Sequence, residues 1–174
     1  DANAPDQPLL GAAQLRWLLD ALAQSRATFK IIAIGSQVLN PFTRFEGYAQ
    51  HARELDALIS GLKSRRVEGV IFLSGDRHFA ELNRLDEDPS FYPLYDFTSS
   101  PLTSGIARSI GPEVNNPRRV KDTLINDRRN FGTLSFKGEG VDRAVTLEAW
   151  DAKGERLWVH TIYALDLKLK RATK

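Results

Sequence analysis

Asp76 and His78 stand two residues apart, directly after the run Val70-Ile71-Phe72-Leu73-Ser74-Gly75. A carboxylate oxygen and an imidazole nitrogen together suit a hydrolytic metal ion. In an extended stretch, side chains at i and i+2 point the same way, so the two can converge on one small target. The four apolar residues before Ser74 read as a strand buried on both faces. Gly75 can supply the positive φ that a sharp exit needs. Open α/β sheets keep their ligand sites at the carboxyl ends of such strands. The same spacing also fits a tight turn with a surface Asp and a half-buried His, and spacing alone does not choose between the two.

Other chemistry is poorly supported. The absence of Cys excludes disulfides, thiolate metal sites and a Cys nucleophile. Ser74 lacks the G-x-S-x-G setting of a serine nucleophile. Neither a phosphate-binding P-loop nor a G-x-G-x-x-G motif is present. His51 reads as a surface residue in mid-helix, and His160 as a structural residue of the last strand. Asp86, Glu87 and Asp88 could gather a cation, but a solvated acidic turn is the reading their sequence favours.

The elements that must position Asp76 and His78 follow from periodicity. Leu15, Leu18, Leu19 and Leu22 form the stripe of an amphipathic helix over residues 11–25, with Trp17 at its edge. Residues 30–35 are a short buried strand followed by the loop Ser36-Gln37-Val38-Leu39-Asn40-Pro41. A second helix over 48–63 carries Ala52, Leu55, Leu58, Ile59 and Leu62 on one face, and a strand over 67–73 follows. This alternation predicts neighbouring parallel strands with covering helices. Residues 79–85 read as a helical turn, 94–98 as a strand and 105–129 as a long loop of the kind that often carries function. The segments 131–137, 143–150 and 155–164 read as an antiparallel meander, with Val145, Leu147 and Ala149 on its covered face. Residues 1–8 read as a loop, 8–164 as structured and 165–174 as a basic tail, frayed over 168–174.

The 174 residues suffice for one domain with a real core, and 42% apolar with 26% charged residues is a globular composition. The net charge of +2, from 24 basic and 22 acidic side chains, is too balanced to argue for nucleic acid. No apolar run is long enough to span a bilayer. The chain opens at Asp1 and contains no Met, which points to a piece of a longer polypeptide.

Several blocks together resemble a known family. Ser74-Gly75-Asp76-Arg77-His78 is similar to the SGD-x-H block of the PhoD-like alkaline phosphatases and phosphodiesterases, within the calcineurin-like metallophosphoesterases. Gln14-Leu15-Arg16-Trp17-Leu18 resembles that family's Q-x-x-W-L helix, and Gln37-Val38 its Q-V loop. Phe45-Glu46-Gly47-Tyr48 resembles its W-[DE]-G-Y, with Phe for Trp. Thr98-Ser99-Ser100-Pro101-Leu102-Thr103 is similar to its T-S-S-P-L-T, and Asn130-Phe131-Gly132 to its N-F-G.

The resemblance implies an α/β fold, half of a four-layer α/β/β/α sandwich, with this chain supplying a mixed sheet, its helices and the C-terminal meander. It implies phosphoester hydrolysis at a two-metal centre, with Asp76 and His78 as ligands. Ser36, Gln37 and Asn40, on a strand-end loop beside the site, could touch substrate or metal, or be ordinary turn residues. Arg77, pointing the other way, is assigned a structural role. The family's earlier Asp-, Asn- and His-rich blocks are missing, so the chain reads as the carboxyl-terminal part, and an N-terminal part is the expected partner. A mixed sheet deprived of its second sheet would expose an apolar face, which a partner fragment or a dimer would cover. Iron on His78 and Ca²⁺ on Asp76 are the expected ions, with zinc, manganese or magnesium as substitutes. The resemblance also implies a periplasmic or secreted enzyme. A non-catalytic module that keeps the family core without a full metal centre is the competing expectation.

Overall fold

The helix expected from the leucine stripe forms as α1 (Gly11–Gln24), which turns Leu19 and Leu22 into the core. Its first turn is capped from a distance. The Glu54 carboxylate accepts the N–H groups of Leu9, Leu10 and Gly11 at 2.8–2.9 Å, where the exposed amides and positive end of a helix favour a negative charge. Trp17, expected at the edge of the stripe, is instead 66% exposed. The computed structural model describes residues 7–42 and 45–169; the loop and tail expected at the termini therefore fall partly, at 1–6 and 170–174, outside the described residues.

Strand β1 (Lys30–Ala33) leads through the Gln37-Val38 loop to a short 3-10 turn and then α2 (Ala52–Ser64), whose Leu58 and Leu62 are buried. His51 is not the mid-helix surface residue expected. It sits half-buried at the start of α2, its ring edge-on to Tyr48 and its Nδ1 paired with the Gln7 carbonyl.

β2 (Val70–Ser74) pairs in parallel with β1 and, on its other side, with β4 (Leu94–Thr98). The predicted helical turn at 79–85 does not form. Residues Glu81–Leu85 make β3, antiparallel to β4, with Glu81 opposite Thr98 and Asn83 opposite Asp96. Glu-Leu-Asn-Arg-Leu has helical propensity, but tertiary context overrides it. Leu82 packs into the apolar core, while Glu81 and Asn83 are fully buried against polar partners from residues 113–119. The four-stranded order is β1-β2-β4-β3.

The long loop at 105–129 lies along β3 rather than away from it. Bridges join Ala80 to Ile125 and Asn83 to Arg119, and a 3-10 turn at Gly111–Asn115 buries Glu113 completely.

The meander forms as expected, with β5 (Asn130–Lys137), β6 (Ala144–Asp151) and β7 (Arg156–Tyr163) in antiparallel order. It is a second sheet of this same chain, and Val145, Leu147, Ala149 and Ile162 join the core of the first. On β4, Tyr95 and Phe97 share the face that meets the meander: Phe97 meets Trp158 at 5.0 Å and Tyr95 meets His160 at 5.6 Å. The helices lie on the opposite face, where Leu18, Leu58, Ile32 and Phe72 line one cleft. The described layers are thus helices, mixed sheet and antiparallel sheet. The apolar face expected to be bare is covered over β2 and β4 by the chain's own meander. The edge of β1 is not: Ile31 is 37% exposed and β1 has a strand on one side only.

Structure continues past the expected boundary at residue 164. Ala164–Leu167 form a 3-10 turn, Leu167 is buried, and its carbonyl accepts the Gly69 N–H at 3.1 Å.

Candidate functional site

β2 delivers Ser74 and Gly75 to the carboxyl end of the mixed sheet, where the chain leaves β2 through a sharp turn. Gly75 does not take the positive φ expected of it. Asp76 (φ 63°) and His78 (φ 58°) do so instead, so the stretch is not extended and the simple i, i+2 argument for convergence does not apply. A left-handed conformation costs a residue with a side chain about 1–2 kcal/mol, and Asp and His visit it more readily than bulkier types. Two such residues flanking a third need support from their surroundings.

That support comes from three directions. The His78 N–H donates to Ser100 Oγ at 2.8 Å, and its carbonyl accepts the Ala107 N–H at 2.9 Å. The Ser100–Pro101 peptide is cis, and the Ser100 carbonyl accepts from Asn130 Nδ2 at 2.8 Å. Ser99 Oγ donates to Asn130 Oδ1 at 3.0 Å. The T-S-S-P-L-T, N-F-G and SGD-x-H blocks, scattered along the sequence, are thereby joined in one hydrogen-bonded cluster.

The third support is Arg77, whose side chain is buried. Its guanidinium donates to both oxygens of Glu113 at 2.6 Å and to Gln37 Oε1 at 2.9 Å. The rings of Phe45 and Phe79 each lie 5.2 Å from its central carbon.

Gln37 and Asn40 lie in the interior, both essentially inaccessible. Gln37 Nε2 donates to Glu81 Oε1 and Thr98 Oγ1, while its Oε1 accepts from Arg77 and from Asn40 Nδ2. Asn40 also donates to Glu113 at 3.0 Å. Ser36 is half-buried just before them. The Gly75 N–H donates to the Gly35 carbonyl at 3.2 Å, which sets the Ser36 backbone beside the turn.

Sequence reasoning did not find the acidic members of this network. Asp96 is wholly buried and accepts the N–H groups of Val38 and Leu39 and the Ser74 hydroxyl. Burial pushes its carboxyl above the usual range, against the pull of those hydrogen bonds. Glu81 accepts from Gln37, Asn83 and Arg119. The available signal was polar residues inside short apolar runs, Asp96 in Leu-Tyr-Asp-Phe and Glu81 beside Phe79-Ala80.

Asp76 is exposed and His78 half-buried, and among the described residues neither side chain makes a hydrogen bond or ion pair. Such pairing does claim the acidic loop: Asp86 takes Arg84, Glu87 takes Arg118 and Asp88 takes Lys63. The solvated-turn reading of that loop holds.

Residues 1–153 match the family described as PhoD-like phosphatase. The chain belongs to that family. Its fold is similar to a solved chain described as "Structure of PhoD", with a TM-score of 0.59 and 18% identity over 91% of this chain. The match takes in 36% of the PhoD chain, so this PhoD-like chain spans about a third of that length. No curated protein matches it. The mixed sheet, its two helices and the meander are the fold that the sequence implied.

Phosphatases of this family depend on metal ions in general. Asp76 and His78 offer one hard oxygen donor and one nitrogen donor, both free of protein partners, and to that extent they fit. Among the described residues no group of three or more His, Cys, Asp or Glu gathers to hold an ion. The two fit as part of a donor set, since metal sites take three or more protein ligands.

Proposed function

We propose that the protein hydrolyses phosphoesters, mono- or diesters, at a metal centre for which Asp76 and His78 are ligands. One observation carries the reading. In a chain of a phosphatase family, the Asp and His side chains at the carboxyl end of β2 are left unpaired by a turn that Ser100, Ala107, Glu113 and Gln37 hold in place. Bound metal would supply Lewis acidity toward the phosphate oxygens. The chain's own part is to present the two donors, with Ser36 on the substrate side and Gln37 and Asn40 holding the turn from within. His78 takes a transition metal, iron first, and Asp76 a harder ion, Ca²⁺ first; zinc, manganese and magnesium are the substitutes.

The remaining ligands come from the rest of the enzyme, N-terminal to these residues, as a continuous chain or a companion fragment. The open edge of β1, with Trp17 and Ile31 exposed on either side, supports that placement. The enzyme works in the periplasm or outside the cell, a reading supported by the family likeness. The complete protein hydrolyses a nitrophenyl phosphate ester, and a chelator abolishes the activity. Turnover that survives exhaustive chelation removes the metal reading.

The gathering of only two donors among the described residues favours a second reading, a non-catalytic interaction module. Intact mass of the purified material separates them: an additional chain or segment rich in Asp and His supports the enzyme, and a lone 19.5 kDa species the module.

A further inference from the structure

We infer that Arg77 is the positioning residue of the Asp76–His78 turn, seated by Glu113 and Gln37; this rests on the phosphoesterase reading above. Arg77 lies between two residues that both hold a left-handed backbone. Its N–H donates to the Gly75 carbonyl at 2.7 Å, closing the turn on itself. Its side chain is the one of the three that points inward, 4% exposed, whereas Asp76 is exposed and His78 half-buried. The orientation of the middle side chain therefore fixes that of its neighbours.

The seat has the geometry of a register pin. Both Glu113 oxygens lie 2.6 Å from one guanidinium nitrogen and Gln37 Oε1 lies 2.9 Å from the other. The rings of Phe45 and Phe79 sit against the plane. Planar multidentate recognition of this kind is specific to arginine, because lysine offers a point charge without the fork. Glu113 is itself held: it is fully buried on the 3-10 turn of the 105–129 segment and also accepts from Asn40. Gln37 is fixed by Glu81 and Thr98 at the ends of β3 and β4. The turn is thus tied through one side chain to the mixed sheet and to the long segment. Without Arg77, Asp76 and His78 keep their chemistry but lose the fixed backbone that presents them.

The test uses the complete protein purified with its metals. Arg77→Lys keeps the charge and removes the fork. The pair Arg77→Met with Glu113→Gln removes the ion pair without leaving either charge buried alone, so it remains folded where a single change fails to fold. Three quantities are read: metal affinity by competition with a chelator, melting of the metal-stripped protein, and kcat and KM. The expected result is metal affinity lower by about 10- to 100-fold, the range for residues that orient metal ligands. It falls in both variants with kcat falling more than KM rises, while the stripped proteins melt cooperatively. Wild-type metal affinity in variants that melt lower assigns Arg77 to stability alone and overturns the inference. A wild-type protein that retains no metal overturns the phosphoesterase reading, and the positioning role with it.

Discussion

Gly132 of β5 stands so close to Phe97 of β4 that a Cβ added to it would meet the ring at 2.6 Å. The two sheets approach here because the glycine has no side chain, and Phe97 fills the space against Trp158. Gly132→Ala is expected to cost about 1–3 kcal/mol by overpacking. Denaturant unfolding measures it. Combining it with Phe97→Leu, which makes room, should cost less than the two single changes added together; simple additivity would mean the sheets do not touch at this point.

Glu81 is fully buried, and its carboxylate takes Arg119 Nε at 2.6 Å together with the amides of Gln37 and Asn83. Glu81→Gln leaves the Arg119 guanidinium, itself only 10% exposed, without its counter-ion. Removing one partner of such a buried pair costs about 3–5 kcal/mol. Urea midpoints should fall accordingly, while Asp20→Asn, which breaks the exposed pair with Arg65, leaves them unchanged. Equal effects from both changes would contradict the buried network.

His160 carries the pH prediction. Burial first, and then the nearby positive charge of Arg84, hold its imidazole below the usual histidine value of 6.5. The unfolded chain therefore takes up a proton near pH 6.5 that the folded chain refuses. Its contribution to stability is complete above that value and is lost as pH falls toward the lowered folded value. Thermal unfolding between pH 7.5 and 5 should show wild type losing more than His160→Phe, whose ring can replace the contact with Tyr95. Parallel curves for the two proteins would refute it.

The two proposed ligands would divide their labour by donor type. His78→Ala should release the transition metal and nearly all turnover, whereas Asp76→His should shift that position toward Zn²⁺. Elemental analysis of the complete enzyme and both variants decides this. Unchanged metal content in His78→Ala would return the turn to a purely structural role.

The sequence by itself determined the elements whose signal is local. The Leu15–Leu22 stripe made α1, Val70-Ile71-Phe72-Leu73 made a strand with a parallel neighbour on each side, and the alternation of Val145, Leu147 and Ala149 made the covered face of β6. These follow from periodicity, since burial of one face selects the element. It also placed the SGD-x-H block at a strand end. Tertiary structure decided what those residues lean on. β3 is a strand because Glu81 and Asn83 find Gln37, Asn116 and Arg119, partners 33 to 44 residues away that no local pattern announces. The left-handed turn falls on Asp76 and His78 rather than Gly75 because Ser100 and, from the 105–129 segment, Ala107 and Glu113 hold it in place. A short-range pattern can specify which face is buried; it carries no record of which distant polar group will satisfy a buried charge.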